Sequence, residues 1–86
     1  MITIYTKPDC AFCVRAKNIL KSREIMFEEQ KLDEDFTLEE FKSTFPGRKT
    51  FPLLIKDGQV IGGYDDLRNA IAENENFGKM ILNEGI

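Results

Sequence analysis

Two cysteines, Cys10 and Cys13, give this sequence its clearest capacity for chemistry. They stand in the stretch YTKPDCAFC at residues 5–13, with Ala11 and Phe12 between them. A thiol pair at this spacing can form a permanent disulfide, hold a metal ion with further ligands, pack as two small apolar side chains, or act as a redox couple. The composition and the patterns of the remaining residues indicate which of these four uses applies.

A permanent disulfide and a metal site are poorly supported. A bond between Cys10 and Cys13 would close a loop of about four residues, which removes little entropy from the unfolded chain. Structural zinc takes four nitrogen or sulfur ligands, whereas the chain has two cysteines and no histidine. Metal shared between two chains and simple apolar packing stay open as alternatives, but a redox couple is favoured.

Composition limits the class of protein. An 86-residue chain with 42% hydrophobic and 31% charged residues is typical of one globular domain, which we expect to span residues 1–86. A net charge of −3 with scattered basic residues argues against nucleic acid as a partner. The sequence shows no signal peptide and no apolar run of membrane-spanning length. We therefore expect a cytoplasmic protein, without a membrane partner, in a compartment that keeps thiols reduced.

Local patterns place the cysteines between a strand and a helix. The β-branched run at residues 1–6 predicts a strand, which Pro8 ends. From Ala11 to about Ser22, apolar residues recur with helical spacing and predict one buried stripe, formed by Phe12, Ala16, Ile19 and Leu20. The cysteine pair is therefore expected at the N-terminal end of the first helix.

This position predicts different roles for the two thiols. The N–H groups of a first helical turn lack internal partners, and the helix dipole adds about half a positive charge there. Together with the nearby cation of Lys7, they favour the thiolate of Cys10. Such cysteines have pKa values of roughly 3.5–7.5, against about 8.5 for a free thiol. Because Cys13 lies one turn deeper on the same face, we expect Cys10 to attack and Cys13 to resolve the mixed disulfide.

The rest of the chain alternates between strands and helices. The next predicted elements are a strand at residues 25–31, a helix with the capping box Thr37-Leu-Glu-Glu40 and a buried face of Leu38, Phe41 and Phe45, and a strand at 51–55. They are followed by a hairpin turn at Asp57-Gly58, a strand at 59–61, a helix capped by Asp65 or Asp66 with Leu67, Ala70 and Ile71 buried, and a helix at about 77–82. This order predicts an α/β fold with a four-stranded mixed sheet and helices on both faces.

Four segments together resemble a glutaredoxin, of the thioredoxin-fold family, over essentially the whole chain. They are YTKPDCAFC at 5–13, KTFP at 49–52, DGQVIGG at 57–63 and GGYDDL at 62–67. The resemblance implies a thioredoxin-like fold and a glutathione-dependent thiol–disulfide oxidoreductase, which reduces protein disulfides and glutathione mixed disulfides through Cys10 and Cys13. It also implies glutathione as reductant and co-substrate without a bound cofactor or metal, and a monomer acting on disulfide-containing client proteins, of which ribonucleotide reductase is family-typical.

The same resemblance implies a glutathione site around the cysteines. Its predicted members are Lys7, Cys10, Phe12, Phe51, Pro52, Gly63, Tyr64 and Asp65. In the family this proline follows a cis peptide bond, and Phe51 would pair its backbone with the cysteinyl part of glutathione. Asp65 would meet the ammonium group of the γ-glutamyl part, and Lys7 the glycine carboxylate. Taken without the resemblance, Pro52 could simply begin a strand, and Asp65 or Asp66 could simply cap a helix.

Three positions depart from the family pattern. Ala11 and Phe12 replace the usual proline and tyrosine, and Phe51 replaces a valine. We expect these differences to affect substrate range rather than reaction type. Two rival functions stay open: a redoxin recharged by thioredoxin reductase, against which GGYDDL argues, and a dimeric iron–sulfur module, which would be brown in solution.

Overall fold

The computed structural model describes residues 1–73. Its elements are, in chain order, β1 (Ile2–Thr6), α1 (Ala11–Ser22), β2 (Phe27–Lys31), α2 (Leu38–Thr44), β3 (Leu53–Lys56), β4 (Gln59–Gly62) and α3 (Tyr64–Glu73). The order of strands and helices is the predicted one, although β2 begins two residues later than expected. The helix predicted at about 77–82 lies outside the described residues.

The four strands form one mixed sheet in the order β2-β1-β3-β4. β1 is parallel to β2, as the crossover through α1 requires, and antiparallel to β3, which is antiparallel to β4. β4 consequently runs in the same direction as β1. The helices that follow these two strands, α1 and α3, therefore begin at the same edge of the sheet.

Two hydrophobic clusters lie on opposite faces of this sheet. The cluster under α1 and α3 consists of Ile2, Ile4, Ala16, Leu20, Ile25, Leu54, Leu67 and Ile71. The cluster under α2 consists of Phe36, Phe41 and Leu53, against which Tyr5, Leu32, Phe45, Phe51 and Ile55 pack. Because successive strand residues point to opposite faces, β1 and β3 contribute to both clusters. Helices cover both faces, and the predicted thioredoxin-like fold class is confirmed.

Two predictions that depend only on residues close together in the sequence, a helix cap and a turn, are confirmed. The hydroxyl of Thr37 accepts a hydrogen bond from the N–H of Glu40 at 3.1 Å, and the Glu40 carboxylate accepts one from the Thr37 N–H at 2.7 Å. This is the predicted capping box of α2. Asp57 and Gly58 have φ values of 49° and 83°, as a two-residue turn between antiparallel strands requires.

Two side chains expected on buried stripes face solvent. Phe12 is 51% exposed and Leu38 is 45% exposed. Both stand within the first two positions of their helices, where the helix has not yet reached the sheet. In α1 the buried stripe begins one residue later and consists of Cys13, Ala16 and Leu20.

The start of α3 also differs from the prediction. The helix begins at Tyr64, so Asp65 and Asp66 lie inside its first turn instead of preceding it. The carboxylate of Asp66 reaches back and accepts a hydrogen bond from the N–H of Gly63 at 3.0 Å. Asp66 therefore stabilises the helix end from within, as an acidic residue at the third helical position does in a capping box.

Candidate active site

Cys10 and Cys13 occupy the junction between β1 and α1 and are joined by a disulfide, with their Cα atoms 5.2 Å apart. Cys10 is the N-cap residue of α1 and has an extended backbone, with φ −118° and ψ 100°. Its Sγ accepts a hydrogen bond from the N–H of Cys13 at 3.1 Å. Cys10 is half-buried, whereas Cys13 is 2% exposed. The more accessible sulfur is thus the one at which a free helix amide points.

A groove of about 310 Å³ opens beside the cysteine pair. The residues that line it are Phe12, Arg48, Thr50, Phe51, Pro52, Gly63, Tyr64, Asp65 and Asp66. Six of the eight predicted glutathione-binding residues are among them. The other two are Cys10, whose Sγ lies 3.7 Å from the carbonyl oxygen of Phe51, and Lys7, which is exposed in the turn before Cys10 and does not line the groove.

The wall of the groove nearest Cys10 is formed by Phe51 and Pro52. The peptide bond between them is cis, and Pro52 is buried. The backbone of Phe51 faces Cys10, whereas its ring packs in the cluster under α2, with centroids 4.7 Å from Phe41 and 6.1 Å from Phe36. The ring that replaces the family's smaller side chain is therefore anchored in that cluster.

The opposite wall is the first turn of α3 and the glycine pair before it. Gly62 has φ 125°, and a Cβ at this position would collide with the carboxylate of Asp66, so only glycine fits. Tyr64 and Asp65 line the groove. The carboxylate of Asp65 is exposed and forms no hydrogen bond or ion pair with another residue of 1–73. It can therefore meet a cationic group of a ligand.

A polar network holds α1 against the sheet one turn below Cys13. One carboxylate oxygen of Glu29 accepts hydrogen bonds from the hydroxyl of Thr6 at 2.7 Å and from the ammonium of Lys17 at 3.0 Å. Burial raises the pKa of Glu29, but these two hydrogen bonds and the charges of Lys17 and Lys31 outweigh it and lower the pKa below its ordinary value of 4.5. Glu29 is consequently ionised at neutral pH and connects β1, α1 and β2.

Three groove residues were not assigned to the site from the sequence: Arg48, Thr50 and Asp66. Thr50 belongs to the segment KTFP, which could have indicated it. Arg48 is close to the same segment in the sequence but could not be assigned to the site, because its direction depends on the turn at Gly47, with φ 86°, and on the cis bond that follows. The sequence indicated Asp66 only as a possible helix cap, and its carboxylate does accept a capping hydrogen bond from the N–H of Gly63.

Residues 1–73 contain neither a metal-binding cluster nor a membrane-spanning helix. No group of three or more histidine, cysteine, aspartate or glutamate side chains is placed to hold a metal ion. Within the same residues, no helix has the length and apolar character needed to cross a membrane.

Comparison with known proteins identifies the family. The glutaredoxin family model matches residues 2–61. Glutaredoxin 3 of Escherichia coli is 41% identical over 66 residues, which cover 77% of this chain and 80% of that protein. A hybrid peroxiredoxin of Haemophilus influenzae is also 41% identical, over 71 residues, but the chain spans only 29% of that protein's length. The crystal structure of glutaredoxin 1 from Francisella tularensis has a TM-score of 0.73 at 27% identity and covers 87% of this chain and 95% of that one.

A redox-active cysteine pair at the start of α1, in a sheet of this order, defines a thioredoxin-like thiol–disulfide oxidoreductase. Within that class the chain belongs to the glutaredoxin family, since the family model covers residues 2–61 and a relative at 41% identity covers 77% of the chain.

Proposed function

We propose that this protein is a dithiol glutaredoxin that takes its electrons from glutathione and reduces both protein disulfides and glutathione mixed disulfides. The observation that carries the glutathione dependence is the groove beside Cys10, where the unpaired carboxylate of Asp65 meets the N-terminal end of α3. A helix N-terminus next to a free carboxylate suits an amino acid group with both charges on one carbon, which is the γ-glutamyl end of glutathione.

The proposed assignment fills the groove from end to end. Tyr64 and Asp65 hold the γ-glutamyl part, with Gly63 allowing close approach of the backbone. The backbone of Phe51, beside Pro52, pairs with the cysteinyl part, and the exposed ring of Phe12 covers its apolar side. The glycine carboxylate meets Arg48 on the groove wall, and Lys7, which lies outside the groove in the turn before Cys10, reaches towards the same carboxylate.

Reduction of a glutathione mixed disulfide begins with the Cys10 thiolate. It attacks the glutathione sulfur, the bond to the client sulfur breaks, and the client leaves as a thiolate that takes up a proton. Glutathione is then bound to Cys10 in the groove. A second glutathione thiolate attacks this glutathione sulfur, which releases glutathione disulfide and regenerates the Cys10 thiolate. The N–H of Cys13, 3.1 Å from the Cys10 sulfur, stabilises that thiolate in each cycle.

Reduction of a protein disulfide uses both cysteines. Cys10 attacks one client sulfur and releases the other as a thiolate. Cys13 then loses its proton and attacks Cys10, so that the client leaves as a dithiol and the Cys10–Cys13 disulfide forms. Two glutathione molecules reduce this disulfide and leave as glutathione disulfide, which returns the enzyme to its dithiol state.

Cellular context belongs to the same proposal. We propose one domain over residues 1–86, acting as a monomer in the cytoplasm without a bound metal or cofactor of its own. Ribonucleotide reductase is one candidate among the disulfide-containing clients.

The test is turnover of a small glutathione mixed disulfide with glutathione, glutathione reductase and NADPH, comparing the wild type with Cys10→Ser and Cys13→Ser. We expect an active wild type, an inactive Cys10→Ser protein and at least partial activity of Cys13→Ser, because the thiol of Cys13 is required only for protein disulfides. A wild type that is inactive with glutathione but active with thioredoxin reductase would contradict the glutathione assignment. A brown, dimeric preparation without turnover would favour the iron–sulfur alternative.

A further inference from the structure

The outer surface of α1 and α3 carries a row of four stacked side chains. The guanidinium of Arg15 lies over the ring of Phe12, 5.4 Å from its centroid. The rings of Phe12 and Tyr64 have centroids 5.3 Å apart, and the guanidinium of Arg68 lies 5.9 Å from the centroid of Tyr64. We call the row Arg15, Phe12, Tyr64 and Arg68 the cation–aromatic ladder.

The direction of the two helices places this ladder beside the reactive cysteines. Because α1 and α3 start at the same edge of the sheet, their first turns lie next to each other, and these turns carry Phe12 and Tyr64. Both rings also line the groove. Arg15 and Arg68 stand one turn further along their helices and are exposed. The two rings are thus part of the groove wall, and the two cations lie outside the groove, one at each end of the ladder.

Both guanidinium groups have donors available for an anion. Within residues 1–73, neither Arg15 nor Arg68 forms an ion pair or hydrogen bond. Stacking occupies the face of a guanidinium and leaves its in-plane N–H groups free, and these fit a carboxylate in bidentate geometry. The ring contact also restricts the side chain before a ligand arrives, which lowers the entropy lost on binding.

The two acidic residues next to Tyr64 in the sequence do not pair with the guanidinium groups of the ladder. The carboxylate of Asp66 is directed back to the N–H of Gly63, and Asp65, under the proposed function, pairs with the ammonium group of glutathione. Within residues 1–73, neither carboxylate forms an ion pair with Arg15 or Arg68. Both guanidinium groups therefore present unpaired positive charge on a protein whose net charge is −3. A client with an acidic segment would be repelled by the protein as a whole and attracted at this face.

We propose that the cation–aromatic ladder is a docking surface for client proteins whose glutathionylated cysteine is flanked by aspartate or glutamate. The carboxylates bind Arg15 and Arg68, while the rings of Phe12 and Tyr64 stay beside the glutathione in the groove. The inference rests on the proposed function, since the client sulfur has to reach Cys10 while its glutathione lies in the groove. It adds a selection among clients that the glutathione site itself does not provide.

The experiment uses two synthetic glutathionylated peptides that differ only in having glutamate or glutamine on both sides of the cysteine. The values of kcat/KM are measured for the wild type, Arg15→Gln, Arg68→Gln and the double variant. The matched control is Arg23→Gln, which removes the same charge at the C-terminal end of α1. A small glutathione mixed disulfide, which is too short to reach Arg15 or Arg68, reports whether each variant is folded and active.

We expect the wild type to prefer the glutamate peptide by about fivefold at low salt, and we expect this preference to fall as salt is added. The double variant should lose the preference, each single variant should lose part of it, and Arg23→Gln should keep it. All variants should turn over the small mixed disulfide at the wild-type rate.

Two results would overturn the inference and are distinguishable. A wild type that is active on all substrates but treats both peptides alike, or a double variant that keeps the preference, removes the docking surface and leaves the proposed function intact. A wild type that turns over neither peptide nor the small mixed disulfide removes the proposed function, and the docking surface with it.

Discussion

The two cysteines have different environments because they occupy different positions at the start of α1. Cys10 precedes the first turn of α1, where the N–H of Cys13 reaches its sulfur, and is half-buried. Cys13 is inside the helix and almost fully buried. A helix amide stabilises a thiolate, whereas burial in apolar surroundings stabilises the neutral thiol. The two environments therefore favour Cys10 as the attacking group and Cys13 as the resolving one.

The clearest prediction at this scale concerns Asp65. Replacing Asp65 by asparagine removes the charge proposed to meet the ammonium of glutathione but keeps the shape of the side chain. We expect the KM for glutathione to rise about tenfold, as for loss of a charge-assisted hydrogen bond, with the rate of alkylation of Cys10 unchanged. Kinetic titration with glutathione measures the effect.

The control for this prediction is Glu73→Gln, which changes the net charge equally at the other end of α3. If Asp65→Asn and Glu73→Gln have the same KM, Asp65 does not bind glutathione and the groove needs another occupant or another orientation.

The sequence was sufficient to select some of the residues at the groove, but not all of the residues that line it. Cys10, Phe51 and Asp65 could be selected because each stands in a recognisable segment of the sequence. Arg48 could not be assigned to the groove, since it enters through a loop whose path depends on positive φ at Gly47 and a cis bond at Pro52. Such torsions are set by tertiary structure, so the sequence pattern does not determine them.

At the scale of elements, the position of the reactive sulfur depends on how firmly α1 is held. Lys17 of α1 and Thr6 of β1 share one carboxylate oxygen of Glu29 on β2. The pair of charges is only partly exposed, with side-chain exposures of 25% for Lys17 and 20% for Glu29. This network fixes the second turn of the helix that Cys10 caps and whose first turn carries Cys13.

The network predicts an acid-dependent loss of stability. The pKa of Glu29 in the folded protein lies below 4.5, because hydrogen bonds from Thr6 and Lys17 outweigh the opposing effect of burial. In the unfolded chain the carboxyl returns to its ordinary pKa. The stabilisation is therefore complete above that value and is lost as the pH falls through the lower, folded pKa.

The variant Glu29→Gln measures this contribution. We expect it to lower the free energy of unfolding by about 1 kcal/mol at pH 7 and by less near pH 3, because the stabilisation declines as the pH falls below the ordinary value of 4.5 towards the lower, folded pKa. Urea denaturation followed by circular dichroism at both pH values gives the comparison. Glu28→Gln, on the same strand with an exposed side chain, is the control and should have little effect at either pH. An equal loss for Glu29→Gln at both pH values would contradict the charge-based account.

Element boundaries could be predicted where the determining interaction is local. The capping box of Thr37 and Glu40 and the turn at Asp57-Gly58 involve residues close in sequence, and both were predicted. The exposure of Phe12 was not, because helical spacing gives the direction of a side chain but not where the helix meets the sheet. The same reason explains Leu38, at the start of α2.

At the scale of the whole molecule, the cluster under α2 connects the far face of the sheet to the groove. Phe41 of α2 is 2% exposed and its ring lies 4.7 Å from that of Phe51. The backbone of Phe51 in turn faces Cys10. The packing of Phe41 on one face of the sheet therefore helps to position the backbone of Phe51 at the edge of the sheet, next to Cys10.

Phe41→Leu tests this connection. We expect a loss of about 1–2 kcal/mol in the free energy of unfolding, with a rise of about threefold in the KM for glutathione because the backbone of Phe51 is less well positioned. Phe27→Leu alters the cluster under α1 and α3 and should destabilise the protein without changing KM. If both variants leave KM unchanged, Phe51 is positioned by its own loop and not by the cluster.

The central claim is that Cys10 carries glutathione as a mixed disulfide during turnover. The most direct measurement is to treat reduced Cys13→Ser and Cys10→Ser proteins with glutathione disulfide at neutral pH and to map the modified cysteine by mass spectrometry. We expect rapid addition of one glutathione to Cys10 in the first protein, its complete removal by added glutathione, and a much slower reaction of Cys13 in the second. Equal rates for the two cysteines, or no adduct on Cys10, would contradict it.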